Sequence, residues 1–266
     1  MASVIIKRPM KIYSWNMLYR NKELDRAFDF ITKSDFDVFC LQEVPKEFLA
    51  RLRQLPLHIA FRGDVEKILP EKIVPMYNVI LSRHPLVGES EISFDDYWPY
   101  LPLRTRLFVQ LMPSKYFSKI RNRHGLYADV KIDGVSFRIF CLHIILAQPA
   151  WRLREFELAM AERDPAQPAI VCGDFNLLEK PHITPLNWLL GGQVSDAIFF
   201  GRERTVIERR FVENELVNPL RKKITHRLSL SQLDHILVSK SFAIHNAKVL
   251  PDRIGSDHHP IRVEIS

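Results

Sequence analysis

The sequence predicts an α/β protein with mixed β-sheets, on two observations. Helix-spaced apolar residues alternate with short apolar runs along most of the 266 residues, and such alternation is typical of sheets covered by helices. Polar residues stand where several predicted strands end, a place where functional side chains are often found. With 47% hydrophobic residues, the chain can bury a large core. We expect one domain over residues 10–266.

The early part of the chain supplies two strands, a helix and then a second helix and strand. The segment 11–15 is strand-like, and apolar residues at 24, 27, 28 and 31 have the spacing of an amphipathic helix. The run 38–41 is apolar throughout, as in a strand covered on both faces. A second helix is expected over 46–54, and a further strand over 76–82.

The later part continues the alternation. The run 135–142 is rich in β-forming residues, and Asp133-Gly134 directly before it predicts a hairpin. A helix is expected to begin after Pro149, and 168–172 is the next predicted strand. The last strands are expected at 233–238 and 261–265.

The chain is basic, with a net charge of +7 and a pI near 9.3. This balance favours polyanionic partners: nucleic acid, anionic lipid headgroups or phosphorylated small molecules. Solubility alone is the alternative explanation. The segment 95–123, which we expect to be an insertion, interleaves aromatic and basic residues as single-strand nucleic-acid grooves do. An ordinary hairpin and loop with partly buried aromatic residues is the alternative for that segment.

The cysteines and the N-terminal sequence indicate the cellular compartment. Cys40, Cys141 and Cys172 all lie inside apolar runs, and their odd number and spacing predict neither a disulfide framework nor structural zinc. Residues 1–9 are followed by no signal-peptide core, and no apolar run approaches the ~20 residues of a membrane helix. We expect a cytoplasmic protein, and a monomer.

The most informative stretch is Gly173-Asp174-Phe175-Asn176, directly after the apolar run 168–172. In extended chain, Asp174 and Asn176 project to the same side. A carboxylate and an amide held together at the end of a strand suit the handling of a phosphate and of the water that attacks it. Gly-Asp pairs also end many strands for turn reasons alone, so the motif gains weight only from others like it.

Four further polar motifs border apolar runs, and their tips would converge at one edge if the strands share a sheet system. The motifs are Ser14-Trp15-Asn16, Leu41-Gln42-Glu43-Val44, Cys141-Leu142-His143, and the pair Leu233-Asp234-His235 with Gly255-Ser256-Asp257-His258-His259-Pro260. The candidate site residues from all five are Asn16, Glu43, His143, Asp174, Asn176, Asp234, Asp257 and His258.

The chemistry of this set is that of oxygen ligands and imidazoles. It contains no Ser or Cys placed beside a base and no glycine-rich phosphate loop. Carboxylate and amide oxygens suit Mg²⁺ or Mn²⁺, and a histidine paired with an aspartate can act as a base or as a cationic donor. Taken singly, Glu43 could begin a helix, Asn16 could be a turn residue, and His143 could be a satisfied core histidine.

In this order the motifs resemble the endonuclease/exonuclease/phosphatase superfamily, and the resemblance extends from Lys11 to Ile265. It implies a four-layer α/β sandwich of two packed mixed β-sheets flanked by helices, with the site at one edge. It also implies Mg²⁺-assisted, in-line attack of water on phosphorus with no covalent intermediate, Mn²⁺ being a plausible substitute.

The resemblance also implies roles for the metal-binding residues. Asn16 and Glu43 look like the amide and the carboxylate of the metal site, with Glu43 as the principal ligand. Asp257 looks like a further carboxylate that binds the metal, or one that contacts a metal ligand instead of the metal.

The catalytic residues follow in the same way. Asp174 and Asn176 look like the pair that orients the attacking water and contacts the phosphate. Asp234 looks like the acid that supports the catalytic His258, and His143 matches a phosphate-binding histidine. The neighbours of these motifs, His235 and His259, receive no role.

The substrate is predicted less sharply. Abasic-site endonucleases of this superfamily usually carry Tyr where this chain has His143, and an aromatic residue just before the late aspartate, where this chain has none. The first hypothesis is a Mg²⁺-dependent nuclease acting on DNA or RNA. The second is a phosphatase or phosphodiesterase acting on an inositol phosphate, a sphingomyelin-like headgroup or a tyrosyl-DNA adduct. A binding protein with a degenerate site is the third.

Overall fold

The computed structural model describes residues 8–114 and 116–266, which form two mixed β-sheets and their covering helices. Lys115, one of the basic residues of the segment 95–123, lies outside the described residues, as do residues 1–7. The strands are β1 (Met10–Asn16), β2 (Val38–Pro45), β3 (His58–Ile68), β4 (Ile73–Ser82), β5 (Leu86–Ser93), β6 (Ile120–Arg121), β7 (His124–Ile132), β8 (Val135–His143), β9 (Ala169–Asp174), β10 (Leu216–Val217), β11 (Asp234–Ser239), β12 (Ile244–Val249) and β13 (Ile261–Ile265).

The helices are short to medium in length. They are α1 (Leu24–Lys33), α2 (Lys46–Leu52), α3 (Leu103–Leu111), α4 (Pro149–Ala161), α5 (Pro185–Leu189), α6 (Val194–Ile198) and α7 (Arg202–Glu213), with a single 3-10 turn at Trp98–Tyr100. Across the described part of the chain, none of these helices has the length and apolar character needed to span a bilayer.

Both sheets contain parallel and antiparallel pairs. The first has the order β12-β13-β1-β2-β4-β3-β6, in which β1 and β2 are the parallel pair. The second has the order β10-β11-β9-β8-β7-β5, in which β8 and β9 are the parallel pair. In each sheet the parallel pair lies at or next to the centre, so two carboxyl-terminal strand ends meet side by side there.

The alternation of side chains along the strands builds the layers. In β1, Met10 and Ile12 face the second sheet, whereas Tyr13 and Trp15 face the helices α1 and α2. The second sheet packs its other face on α4 and α7 through a separate apolar cluster. The predicted four-layer α/β sandwich is therefore confirmed. The three cysteines are buried between the sheets and free, as predicted.

Most predicted elements are present with small shifts at their ends. The strand predicted at 168–172 extends to Asp174, so that its terminal polar residue is part of the sheet. The hairpin at Asp133-Gly134 joins β7 to β8, with both residues at positive φ. The single-domain assignment over 10–266 stays a prediction.

The segment 95–123 holds a 3-10 turn, α3 and β6 rather than an open loop. Its arginines make contacts within the fold: Arg121 pairs with Glu66, and Arg123 is buried with Glu155. Tyr97 is buried, whereas Tyr100 and Tyr116 are exposed. The segment thus combines a structural role for part of its charge with an exposed aromatic and apolar surface.

Candidate active site

The predicted strand-end residues come together at one edge of the sandwich. In the second sheet, Asp174 is the neighbour of both His143 on β8 and Asp234 on β11, so the three stand in one row across three strands. In the first sheet, Asn16 and Gln42 are neighbours at the ends of β1 and β2. The two parallel pairs therefore place the polar residues at their carboxyl-terminal ends at the same edge of the sandwich.

A β-bulge places Glu43 at this edge. The pairing of β2 with β4 shifts register between Leu41 and Val44, and Glu43 within the bulge has a φ of 54°. A bulge of this kind redirects one side chain. Glu43 accepts a hydrogen bond from the Tyr19 amide at 3.1 Å, which fixes one of its oxygens.

Asn16 connects the carboxylates of the two sheets. Its Nδ2 donates to Glu43 Oε1 at 3.2 Å and to Asp174 Oδ2 at 3.1 Å, while its Oδ1 accepts from the Leu18 amide at 3.1 Å. The side chain is almost completely buried. In this arrangement Asn16 positions the acids, and its role as a direct metal ligand stays a prediction.

The turn after β9 fixes Asp174 and Asn176. Gly173 has a φ of 150°, and a Cβ there would lie 1.9 Å from the Leu142 carbonyl oxygen, so no larger residue fits. The Asn176 amide donates to Asp174 Oδ1 at 2.8 Å, and Asn176 Nδ2 donates to the Ile144 carbonyl at 2.8 Å. Asp174 Oδ2 is thereby left facing the other site residues. Burial raises the pKa of Asp174, and the charge of His258 partly offsets this.

His258 and Asp234 form the first histidine–aspartate pair. His258 Nδ1 donates to Asp234 Oδ2 at 2.9 Å, and His258 Nε2 lies 3.6 Å from Asp174 Oδ2. Burial of the ring would lower the pKa of His258, but the charges of Asp234 and Asp174 outweigh it and raise the pKa to about 10. The raised pKa favours the protonated ring, which presents an N–H toward the site.

His143 belongs to a second pair, whose acid the sequence analysis missed. His143 Nδ1 donates to Asp64 Oδ2 at 2.7 Å, and Nε2 lies 3.8 Å from Glu43 Oε1. Burial opposes protonation, but Asp64 and then Glu43 raise the pKa of His143 to about 9. The only signal for Asp64 is an acid after Gly63 within β3, at the point where its pairing shifts register.

Asp257 lies with histidines rather than beside Glu43. Its Oδ1 is 3.9 Å from His258 Nε2, and its Oδ2 is 3.9 Å from Nε2 of His226, a residue the sequence analysis did not select. Burial would raise the pKa of Asp257, but His226 and His258 lower it to about 2. Asp257 Oδ1 is buried and makes no hydrogen bond within the described residues.

The two histidines without an assigned role have structural partners. His235 Nδ1 donates to the Leu233 carbonyl at 2.9 Å, and Arg204 Nη1 lies 2.8 Å from its Nε2. Burial and the charge of Arg204 keep the pKa of His235 well below its usual value. His259 Nδ1 donates to the Leu250 carbonyl. Neither ring lines the pocket described next.

The site forms the floor of a pocket of about 340 Å³. Many of its lining residues are aliphatic, and Tyr19, Arg20, Lys67 and Tyr116 also line the pocket. The aliphatic lining, called the aliphatic wall below, includes Leu101, Val109, Leu146, Leu178, Leu186 and Leu190. A pocket of this size can hold a small molecule or one end of a larger one.

The donor set fits a hard divalent cation. Glu43 and Asp174 offer carboxylate oxygens that Asn16 holds together, and Asp257 has a buried oxygen without a hydrogen-bond donor. Such oxygens are the ligands that Mg²⁺ and Mn²⁺ prefer. Two groups of three residues also bring possible ligand atoms close together: Asp174, Asp234 and His258, and His226, Asp257 and His258.

Solved structures resemble the chain over nearly its whole length. An endonuclease/exonuclease/phosphatase from Beutenbergia cavernae DSM 12333 has a TM-score of 0.68 at 16% identity, covering 97% of this chain and 72% of that one. The human Nocturnin catalytic domain with bound sulfate has a TM-score of 0.63 at 17% identity, covering 98% and 95%. A mannosyl-6-phosphatase from Bacteroides thetaiotaomicron VPI-5482 has a TM-score of 0.57 at 18% identity, covering 97% and 99%.

At these identities the structural similarities show a shared fold. No curated protein matches the chain significantly by sequence. The model of the Endonuclease/Exonuclease/phosphatase family matches residues 13–258, a span that contains all eight predicted site residues. The chain therefore belongs to the endonuclease/exonuclease/phosphatase family, whose members are hydrolases of phosphate esters.

Proposed function

We propose that this chain is a Mg²⁺-dependent phosphodiester hydrolase in which water attacks phosphorus in line. One observation carries the proposal: the carboxylates of Glu43 and Asp174 meet two aspartate-paired histidines on the floor of a single pocket. Hydrolysis of a phosphate ester needs stabilisation of negative charge and an oriented water, and this floor supplies groups for both.

Glu43 is the principal residue proposed to hold the cation, with Asn16 beside it and Asp257 as a further acid. When bound, Mg²⁺ or Mn²⁺ would polarise a phosphoryl oxygen and neutralise developing charge. Asn16 keeps the Glu43 and Asp174 carboxylates at a fixed separation through its two donated hydrogen bonds. Without that amide the two acids would repel each other.

Asp174 and Asn176 are proposed to orient the attacking water. Asp174 Oδ1 accepts from the Asn176 backbone amide and Oδ2 accepts from Asn16. Oδ2 also lies 3.6 Å from His258 Nε2, and it is the oxygen proposed to accept a proton from the water. His258 and His143 are proposed to donate hydrogen bonds to the phosphoryl oxygens through Nε2, since Nδ1 of each ring is committed to Asp234 or Asp64. The raised pKa values of both rings favour this donor role over that of a base.

The first substrate candidate is a phosphodiester that joins the phosphate to an apolar group, such as a lipid. The pocket supports it, because its floor is polar while the wall next to it is formed by leucines at 101, 146, 178, 186 and 190. An aliphatic wall would gain free energy by covering an apolar group, at about 25 cal/mol per Å².

The nuclease predicted from the sequence is the second candidate. The net charge of +7 favours it, and so does the pocket residue Tyr116, which is exposed and has the Arg20 guanidinium 5.1 Å from its ring centre. An exposed aromatic ring beside a cation can stack with a nucleotide base. One solved structure with this fold is named a mannosyl-6-phosphatase and another a 2',3'-cyclic phosphatase, so the fold is not restricted to one substrate class.

The test is hydrolysis of three phosphodiesters in Mg²⁺, in Mn²⁺ and in EDTA: bis(p-nitrophenyl) phosphate, single-stranded RNA or DNA, and a phospholipid in mixed micelles. His258→Ala removes one proposed donor, and His245→Ala is the matched control, because His245 is exposed on β12 and bonds only to Ser266 among its described contacts. We expect metal-dependent hydrolysis that is lost in His258→Ala and kept in His245→Ala. Full activity in EDTA, or in His258→Ala, would contradict the proposal.

The salt dependence of binding, together with the rate of hydrolysis, distinguishes the two substrate candidates. A nucleic-acid substrate should bind more weakly as salt rises, because its binding releases counterions. A lipid phosphodiester held by the leucine wall should show little loss of affinity with salt. Preference for RNA or DNA with a steep salt dependence would replace the first candidate with the second.

A further inference from the structure

The solvent-facing side of α3 carries leucines where a helix of a monomer usually carries charge. Leu103, Leu107 and Leu111 follow each other at i, i+4 and i+8, and they are 71%, 47% and 84% exposed. Residues at this spacing form one line along a helix. We refer to these three side chains as the leucine stripe.

Further exposed side chains near α3 extend this apolar character. Tyr100 precedes the helix, and Met112 and Tyr116 follow it; the two tyrosines are more than half exposed. Soluble monomers rarely expose contiguous apolar patches of this kind, and those that exist are usually interaction sites.

The opposite side of α3 faces the candidate active site. Thr105 and Val109 line the pocket, and Thr105 is buried. The leucine stripe and the pocket are therefore separated by no more than the width of one helix, about 10 Å. Whatever surface binds the stripe would lie beside the pocket.

The charge along α3 has one sign. No acidic residue occurs between Asp96 and Asp129, a stretch that contains all of α3. Arg104 donates to the carbonyl oxygens of Trp188 and Gly192, a contact that leaves its positive charge in place.

A second arginine on α3 behaves in the same way. Arg106 donates to the carbonyl oxygens of Leu101 and Pro99, so its charge is also retained. Within the described residues, neither Arg104 nor Arg106 forms a salt bridge. Their two guanidinium charges beside a line of leucines complement a surface that is anionic outside and apolar just beneath.

We propose that the leucine stripe docks this protein on an anionic lipid bilayer, with α3 lying in the headgroup region beside the pocket. A bilayer accepts separate leucine side chains from a convex helix, and its anionic headgroups attract the flanking arginines. A protein partner would need a matching groove, and the three leucines of the stripe, unlike the nearby tyrosines, offer no stacking to nucleic-acid bases. The docking concerns binding alone, so it can fail while the proposed hydrolysis stands.

The test is co-sedimentation of the full chain with two kinds of vesicle: phosphatidylcholine alone, and phosphatidylcholine with phosphatidylglycerol at about three to one. The Leu107→Ser/Leu111→Ser variant removes two leucines of the stripe. Val212→Ser is the matched control, because Val212 is a 61% exposed apolar residue on a different helix, α7. All three substituted side chains face solvent, and circular dichroism verifies that each variant folds.

We expect the protein to bind the anionic vesicles and to bind them at least about tenfold more weakly after the double substitution, with Val212→Ser unchanged. Salt should weaken binding in part, since screening acts only on the charges. In a Leu111→Trp variant, the added fluorescence should shift to the blue with anionic vesicles.

Three results would overturn the proposal. The first is no binding to anionic vesicles, whether or not the double substitution weakens binding to RNA or to another protein. The second is equal binding by the double variant and by Val212→Ser. The third is binding to phosphatidylcholine alone as strong as to the anionic vesicles.

Discussion

The two histidine–aspartate pairs of the site are built alike but differ in how they meet the carboxylates. Each pair joins the two sheets: His143 on β8 bonds to Asp64 on β3, and His258 before β13 bonds to Asp234 on β11. His258 stands 3.6 Å from Asp174, whereas His143 stands 4.0 Å from the same acid and 3.8 Å from Glu43.

The difference in distance has a chemical consequence. Each ring lies near three acids and has a raised pKa, about 10 for His258 and about 9 for His143. The half around His258 differs in standing closer to Asp174. We therefore expect the two halves to contribute unequally to the proposed hydrolysis, with the His258 half contributing more.

The largest effect is expected from Asp174, which lies near both histidine rings. Asp174→Asn keeps the size of the side chain but removes the carboxylate that lies near both His143 and His258. We expect kcat to fall by about 10³-fold or more, as for loss of a general base. Steady-state hydrolysis of bis(p-nitrophenyl) phosphate measures it. A loss of less than tenfold would show that the two histidine pairs do not act through a shared acid.

A smaller effect should separate the two pairs. Asp234→Asn and Asp64→Asn each leave a neutral partner for one histidine ring. Because the ring of the Asp234 pair lies closer to Asp174, we expect Asp234→Asn to lower kcat by about 10²-fold and Asp64→Asn by about tenfold. The pH profile of each variant is the deciding measurement, since the affected ring should lose its proton at lower pH. Equal losses with unchanged profiles would mean that the acids serve only the fold.

The smallest effect is on stability and is seen without metal. Both rings hold a proton more tightly in the folded state than at the usual value of 6.5, so the folded chain binds more protons between pH 6.5 and the folded pKa values. This stabilisation is complete below about pH 6.5 and is lost as pH rises through about 9 to 10. We expect the free energy of unfolding to fall over that window, because the folded chain loses its two extra protons there.

Thermal unfolding in EDTA at several pH values measures this loss. Asp64→Asn is the comparison, because its His143 should no longer have a raised pKa and its stability should depend less on pH. If the wild-type chain became more stable between pH 7 and pH 9, the assignment of two protonated rings would be wrong.

The same two pairs show which site residues could be predicted from the sequence and which could not. Asp234 and His258 were found because each stands at a strand end or in a loop beside an apolar run, and periodicity detects such positions. Asp64 was missed because β3 was not predicted at all: its pattern is interrupted where the register shifts between Gly63 and Val65. His226 lies outside the named strands, and only an isolated bridge brings it beside His258.

The layers were predictable for a different reason. Residues 10–16 and 38–45 hold the apolar residues expected of strands that are covered on both faces, and both strands are buried along nearly their whole length. The resemblance supplied the arrangement of the two sheets. The exposed leucines of α3 could not be assigned, because an apolar residue in a sequence is expected to be buried. Which of them face solvent depends on the tertiary contacts of Thr105 and Val109 with the pocket.

Asn16 has a mechanical consequence for the whole molecule. It spans from Glu43, which belongs to the first sheet, to Asp174, which belongs to the second. The spacing of the two acids is therefore set by how one sheet sits over the other, and close-packed protein interiors transmit small displacements. A core substitution far from the pocket that slides the sheets by a fraction of an ångström would alter catalysis while the protein remains fully folded.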